Sequence, residues 1–216
     1  MNDNIDKWDL IYKNKKWDSK FPERCIQDFY KYHLPSSPKN FKLLDVGCGS
    51  GIHSLFLQKK GFKVYGIDSS LTAIKLAKKR LQINKNSKIK QCSFEKINFP
   101  DAYFDGIISI GVLYYASYNQ LKNGVKEIYR LLKPNSLARI TLKTKRDHLF
   151  KAMKYSRKNS KVATEGWEKD ILFTFLNKKS IKQLFKKFKK TTIGIEEFNY
   201  VNLKKLHSFW IVTVQK

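Results

Sequence analysis

Cysteine is scarce in this sequence, and the three that occur, Cys25, Cys48 and Cys92, are widely spaced with no C-x-x-C among them. An odd, scattered set makes no disulfide framework and fits reduced thiols in a cytosolic protein. No apolar run reaches the roughly 18 residues that a membrane-spanning helix needs, so no span is expected. Met1 to Trp17 is polar and charged without an apolar core, so no signal peptide is read there and the expected location is cytoplasmic. No internal repeat, low-complexity linker or metal-ligand spacing occurs, and no metal is expected. Acidic residues are few, 18 against 44 Lys and Arg, giving a formal net charge of +26. Such a surplus attracts nucleic acid, an anionic membrane or an anionic small substrate. Arginine, the side chain best shaped for bidentate phosphate recognition, is scarce as well, with only six of the 44. The rest are Lys, which together with abundant Asn, Ile, Phe and Tyr is what AT-rich codons produce. The charge therefore does not require a polyanionic partner.

What is present is a core. The 216 residues are 42% hydrophobic and 14% aromatic, enough for one α/β domain with a modest accessory segment. Helical spacing joins Ile5, Trp8 and Tyr12, and again Ile26, Phe29 and Tyr30 before Leu34-Pro35. Strand and helix then alternate. Strands are predicted at Lys42–Val46, Lys63–Ile67, Lys88–Cys92, Phe104–Ile110 and Leu137–Leu142. Between them fall a helix from Ile52 to Lys60 stopped by Gly61, one capped by Ser70 with Leu71, Ile74, Ala77 and Leu81 inward, and one with Leu121, Val125, Ile128 and Leu132 on one face. This alternation means βαβ units in a parallel sheet. The stretch from Lys143 to Asp170 reads as polar, basic and weakly periodic. A helix follows, with Ser180 and Gln183 as a capping box and Ile181, Leu184, Phe185 and Phe188 inward. Its Lys186, Lys187, Lys189 and Lys190 point away from that face, as in a solvated or a membrane-surface helix. Thr191–Tyr200 and Phe209–Val214 are expected to close the sheet as an antiparallel pair.

The chemistry is concentrated in Leu43-Leu-Asp-Val-Gly-Cys-Gly-Ser-Gly51 and Val64-Tyr-Gly-Ile-Asp68. A strand runs into alternate glycines and then a helix, so a ligand can approach the backbone closely. A second strand ends in a carboxylate suited to both hydroxyls of a ribose. Dinucleotide folds use G-x-G-x-x-G at this turn; here the pattern is D-x-G-x-G-x-G. It resembles the first motif of the class I S-adenosylmethionine (SAM)-dependent methyltransferases, small-molecule type. The resemblance runs from about residue 40 onward through Phe99-Pro-Asp-Ala-Tyr-Phe-Asp105, Gly111-Val-Leu-Tyr-Tyr115, Arg130-Leu-Leu-Lys-Pro-Asn135 and Phe209-Trp-Ile-Val. It implies a Rossmann-like, doubly wound, mostly parallel seven-stranded sheet with helices on both faces and an antiparallel C-terminal strand. It divides the chain into a helical flap (1–40), a SAM-binding core (41–142), a substrate lid or insertion (143–176) and a closing helix and strands (177–216), all in one domain. SAM would be the cofactor and S-adenosylhomocysteine the product.

By the same resemblance, Gly47, Cys48, Gly49 and Gly51 pass under the methionine part of the cofactor and Asp45 orients the loop and the ammonium. Asp68, with Ser69, takes the ribose; Ser93 and Phe94 face the adenine, and Ile110 lines the pocket. Ser93 departs from the usual acidic residue, and Asn135-Ser136 from the usual Gly-Gly, although Asn tolerates the left-handed turn. Tyr12 and Trp17 match aromatic residues that close over the cofactor, with simple core packing as the alternative. His53 either touches the SAM carboxylate or faces solvent. An amine acceptor needs little beyond orientation, whereas a hydroxyl needs a base, for which Tyr115 and His148 stand first, then Tyr12 and His207. No [DNS]-P-P-[YFW] and no Pro-Cys nucleophile occur, which argues against adenine-amino and cytosine-C5 methylation. The expected reaction is methyl transfer to N or O of a small, anionic metabolite, phosphorylated or nucleotide-linked. Arg146 and Arg157 in the insertion would bind the anion, and Tyr155 or Trp167 would form a packing wall. The alternatives are a merely solvated basic loop, and an RNA-directed enzyme or RNA-binding module using the Lys surface.

Overall fold

The computed structural model describes residues 5–14, 19–81, 88–157, 160–164, 169–200 and 205–216, with the backbone alone for 154–157, Ile5 and Tyr200. Helices α1 (Ile5–Lys13) and α2 (Arg24–His33) precede a core of β1 (Lys42–Val46), α3 (Ile52–Lys59), β2 (Lys63–Asp68), α4 (Leu71–Arg80), β3 (Lys88–Gln91), β4 (Phe104–Ser109), α5 (Tyr118–Leu131) and β5 (Leu132–Thr144). The insertion holds α6 (His148–Ala152), β6 (Lys154–Arg157), β7 (Ser160–Val162) and β8 (Leu172–Leu176). Helix α7 (Lys178–Leu184), β9 (Lys190–Tyr200) and β10 (Lys205–Gln215) complete the chain.

Strands β3, β2, β1, β4 and β5 are parallel neighbours in that order. β10 then pairs antiparallel with β5, and β9 with β10. These are the seven strands expected. Strand order reverses between β1 and β4, and the crevice beyond their carboxyl ends is where an open α/β sheet takes its ligands. Leu43, Val64, Ile108 and Ile110 meet Ile26 and Phe29 of α2 and Leu57 of α3 on one face. Leu44, Val46, Ile67, Ile107 and Ile140 meet Leu121, Val125 and Ile128 of α5 and Ile181 of α7 on the other.

Several local expectations change. Leu71 is 47% exposed, because α4 buries only Ala73, Ile74 and Ala77. Helix α5 stops at Leu131, and Leu132 already begins β5. The capping box belongs to α5, where Ser117 and Gln120 satisfy each other's backbone. The cap of α7 is Asn177, which takes the Ser180 N–H at 2.8 Å; Ser180 sits inside the helix. Lys186, Lys187, Lys189 and Lys190 are exposed but lie beyond its last residue. Asn135 does take the left-handed turn, at φ 62°.

The larger difference is the insertion. It is an antiparallel run, β6–β7–β8, and β8 extends the sheet by pairing parallel with Lys143 and Thr144 at the end of β5. Ile171, Phe173 and Phe175 are fully buried there with Met153 and Ala163. Each buried aromatic contributes about 1.5–3 kcal/mol. Thr174 donates its N–H to Tyr114 O at 2.7 Å and its hydroxyl to Ala116 O at 2.6 Å. The described part is thus fastened to the turn after β4.

Candidate active site

The glycine loop is held from three sides. Gly47 and Cys48 both donate N–H to Ile67 O of β2, at 2.7 and 2.9 Å. Arg80 of α4 grips Ser50 through its carbonyl and hydroxyl. Gly49 donates N–H to Asp68 Oδ2 at 2.9 Å, and Ser70 donates to Oδ1 at 2.9 Å. Gly47 and Gly49 have φ of 71° and 53°, which side-chain-bearing residues rarely adopt. A Cβ on Gly49 would stand 2.5 Å from the Tyr12 hydroxyl, and one on Gly47 2.2 Å from Val112.

Two buried carboxylates face this loop. Asp45 accepts from the Ser54 hydroxyl at 2.7 Å; burial first, and Asp68 beside it, push its carboxyl up to about 7. Burial also raises Asp68, against the two amides that lower it. Among the described residues neither has a salt-bridge partner, in a chain of net charge +26. SAM carries an ammonium and a sulfonium against one carboxylate, a net positive charge that suits acids with no cation beside them.

Helix α1 crosses over the loop. Asp9 accepts from Ser70 Oγ at 2.7 Å and Thr72 N at 2.9 Å, joining α1 to the N-terminus of α4; these bonds hold its carboxyl well below the usual range. Lys7 reaches Asp170 and Lys169 O, both at 2.9 Å, joining α1 to the insertion. Tyr12 is buried over Gly49, and burial followed by the Asp68 charge raises its hydroxyl.

Tyr115 stands edge-on to Trp8 at 4.7 Å and to Phe173 at 4.8 Å, uniting α1, the turn after β4 and the insertion. His148 is elsewhere: its Nδ1 lies 3.1 Å from Leu206 O, and its ring meets His207 at 4.7 Å. Asp147, His148 and His207 approach within 4.8 Å of one another. Asp147, however, already receives the Lys143 ammonium at 2.5 Å and the N–H groups of Ser208 and Leu149 at 3.0 Å. A second cation would compete with a buried lysine, so the cluster acts as a latch between the root of the insertion and β10.

His53 Nε2 accepts the Glu23 N–H at 3.4 Å, and burial lowers its pKa to about 4. Ser93 accepts the Glu95 N–H at 3.2 Å, which leaves the hydroxyl hydrogen for another partner. The Phe94 ring packs on Gly124, and Ile110 is buried beside α2. Arg146 is paired with Glu197 at 3.0 Å, so its charge is already met. All of Trp17 and Trp167, and the side chains of Tyr155 and Arg157, lie outside the described residues.

The chain matches the methyltransferase domain family over residues 44–140. It belongs to the class I SAM-dependent methyltransferases. It is 29% identical over 195 residues to a ubiquinone biosynthesis O-methyltransferase of Pelagibacter ubique, covering 88% of this chain and 77% of that protein. It is 34% identical over 102 residues to the uncharacterized methyltransferase YdaC of Bacillus subtilis, covering 46% of this chain and 55% of that one. A SAM-dependent methyltransferase of Methanosarcina mazei superposes with TM-score 0.71 at 20% identity, covering 91% of this methyltransferase and 98% of that chain. No helix among the described residues is long and apolar enough to cross a membrane.

Sequence reasoning overlooked Asp9, Lys143 and Phe173, which sit in no quoted motif, and gave no role to Tyr114 within Gly111-Val-Leu-Tyr-Tyr115. Only the alternation in Leu172–Leu176 hinted that the insertion carries a strand.

Proposed function

We propose that this methyltransferase moves the SAM methyl group to nitrogen or oxygen of a small molecule held at the carboxyl ends of β4 and β5, with β6–β8 as its cover. The observation that carries this is the contact of Tyr115 with both Trp8 and Phe173, which brings flap, sheet end and insertion to one place. SAM supplies the electrophilic methyl group. Asp68 and Ser69 hold the ribose, Asp45 balances the cofactor's charge, and Tyr12 closes over Gly49. Ser93 and Phe94 flank the adenine. Tyr115 is the hydroxyl best placed to contact the acceptor, whereas His148 is drawn toward Leu206. These residues orient donor and acceptor, which for a sulfonium displacement is most of what a protein contributes.

An anionic acceptor, expected from the basic insertion, would require Arg146 to leave Glu197 and now leans on Arg157 alone. The test is calorimetric titration with SAM, followed by S-adenosylhomocysteine release with separate arms of small metabolites and total RNA. Binding of SAM with turnover in the metabolite arm supports the proposal. Turnover confined to RNA sinks it.

A further inference from the structure

The sheet branches at β5 and ends in three edge strands, β3, β6 and β9. An edge strand presents a row of unpaired N–H and C=O groups on which another strand can form. Two of the three are short. β3 has four residues, two of them the exposed Lys88 and Lys90, and β6 has four. Short, lysine-bearing edges resist further pairing. β9 is different. It runs for 11 residues, and among the described residues it pairs with β10 alone. Thr192, Gly194 and Ile195 in its middle are exposed, and Ile195 keeps 45% of its surface in solvent. No proline breaks the strand, and no charge falls within Thr191–Ile195. Its threonines and isoleucines suit a paired strand.

The charge order of this edge says what it fits. Lys189-Lys190 stands before the five uncharged residues and Glu196-Glu197 after them, so the segment is antisymmetric in charge about Ile193. Suppose β9 meets β9 of a second copy, antiparallel across a two-fold axis. Outward-pointing N–H and C=O groups alternate along a strand, so residues of equal parity must face each other. With Ile193 opposite Ile193 of the second copy, Thr191 lies opposite Ile195, Thr192 opposite Gly194 and Lys190 opposite Glu196, each twice. Residues directly opposite point to the same face with Cβ atoms about 4.5–5.5 Å apart, so each ammonium meets a carboxylate. A slip of two residues either way puts Lys190 opposite Gly194 or Phe198 and loses both pairs. Among the described residues neither Lys190 nor Glu196 forms a salt bridge, whereas Glu197 already holds Arg146 at 3.0 Å.

We propose that this methyltransferase associates with a second copy of itself through β9, the two edges pairing antiparallel in the register centred on Ile193. The two sheets become one. Ile193 and Ile195 of both copies form an apolar strip on one face, which takes the exposed Ile195 out of water. On the other face two Lys190–Glu196 pairs fix the register. Copies that each carry a net charge of +26 repel at long range. At about 0.15 M salt the screening length is about 8 Å, so contacts across a strand pair outlast that repulsion. Glutamates at the free edge, in a chain with so few acids, stand where a second copy brings lysine.

Sedimentation velocity of the full chain at about 0.15 M salt, over roughly 1 to 100 µM protein, is the test. The wild type should shift from monomer toward dimer across that range. Lys190→Glu sets two acids against each other in both pairs, and Glu196→Lys sets two lysines. Each variant alone should self-associate at least tenfold more weakly. An equimolar mixture of the two restores opposite charges across both pairs and should dimerise as the wild type does. The double variant Lys190→Glu/Glu196→Lys should do the same by itself. Both side chains lie on the outermost strand, so urea midpoints should match the wild type and show that every variant folds. A wild type that stays monomeric throughout would overturn the proposal and leave the glutamates as guards of a bare edge. A dimer that both single variants keep, or a mixture that stays monomeric, would overturn it as well.

Discussion

The contact of Tyr12 with Gly49 makes a quantitative prediction possible. In Gly49→Ala the new Cβ would stand 2.5 Å from the Tyr12 hydroxyl oxygen, but 3.3 Å from Cζ and 3.6 Å from Cε1. The clash is therefore almost entirely with the hydroxyl. At φ 53° an alanine also pays for a left-handed backbone, about 1–2 kcal/mol. Pushing the ring aside in a packed site adds about 1–3 kcal/mol. Gly49→Ala alone should then destabilise the fold by about 2–5 kcal/mol. With Tyr12→Phe the oxygen is gone and only the backbone term remains, so the double variant should recover about 1–3 kcal/mol relative to additivity. Urea denaturation of the four proteins completes the cycle, and calorimetry with SAM reads the same coupling in affinity. Additive behaviour, with coupling below about 0.5 kcal/mol, would refute the idea that Tyr12 is closed onto the glycine loop.

Asp68→Ala removes the acceptor of the Gly49 and Ser70 N–H groups as well as the proposed ribose ligand; SAM affinity by calorimetry should fall at least about thirtyfold, near 2 kcal/mol. Asp45, held near 7 against an ordinary 3.8, keeps a proton in the folded state that the unfolded chain has lost. Its contribution is therefore complete below about pH 4 and disappears as pH rises through 7, by up to about 1.4 kcal/mol per unit. Cofactor-free wild type should lose stability from pH 5 to 8 more steeply than Asp45→Asn, measured by denaturant titration, and equal slopes would contradict this. Thr174→Val keeps the shape of a fully buried side chain but strips the Ala116 carbonyl and the Ser160 hydroxyl of their partner. A loss of about 1–3 kcal/mol is expected in the same assay.

The motif residues were legible because their constraint is local. The spacing of Asp45, Gly47, Gly49 and Gly51 at a strand end admits few backbone paths, and Asp68 follows from the next strand's length. Core strands and helices were legible for the same reason, since periodicity reports which face is buried. Ser70 declared its own helix start. The insertion was not legible, because Phe173 and Phe175 alternate over only a few residues amid polar ones. Their burial depends on Tyr114, Met153 and α1, all distant in sequence.

The sequence by itself determined the class of protein, the succession of the seven strands along the chain and the position of the glycine loop. Each rests on neighbours within a few residues, where chain geometry leaves little choice. Only the tertiary structure decided how the insertion meets α1 and the turn after β4. Arg146 looked available until β9 brought Glu197 within 3.0 Å, and Lys143 looked like one more surface lysine until Asp147 and Phe209 enclosed it. Electrostatics depends on distance in space, and the sequence records distance only along the backbone.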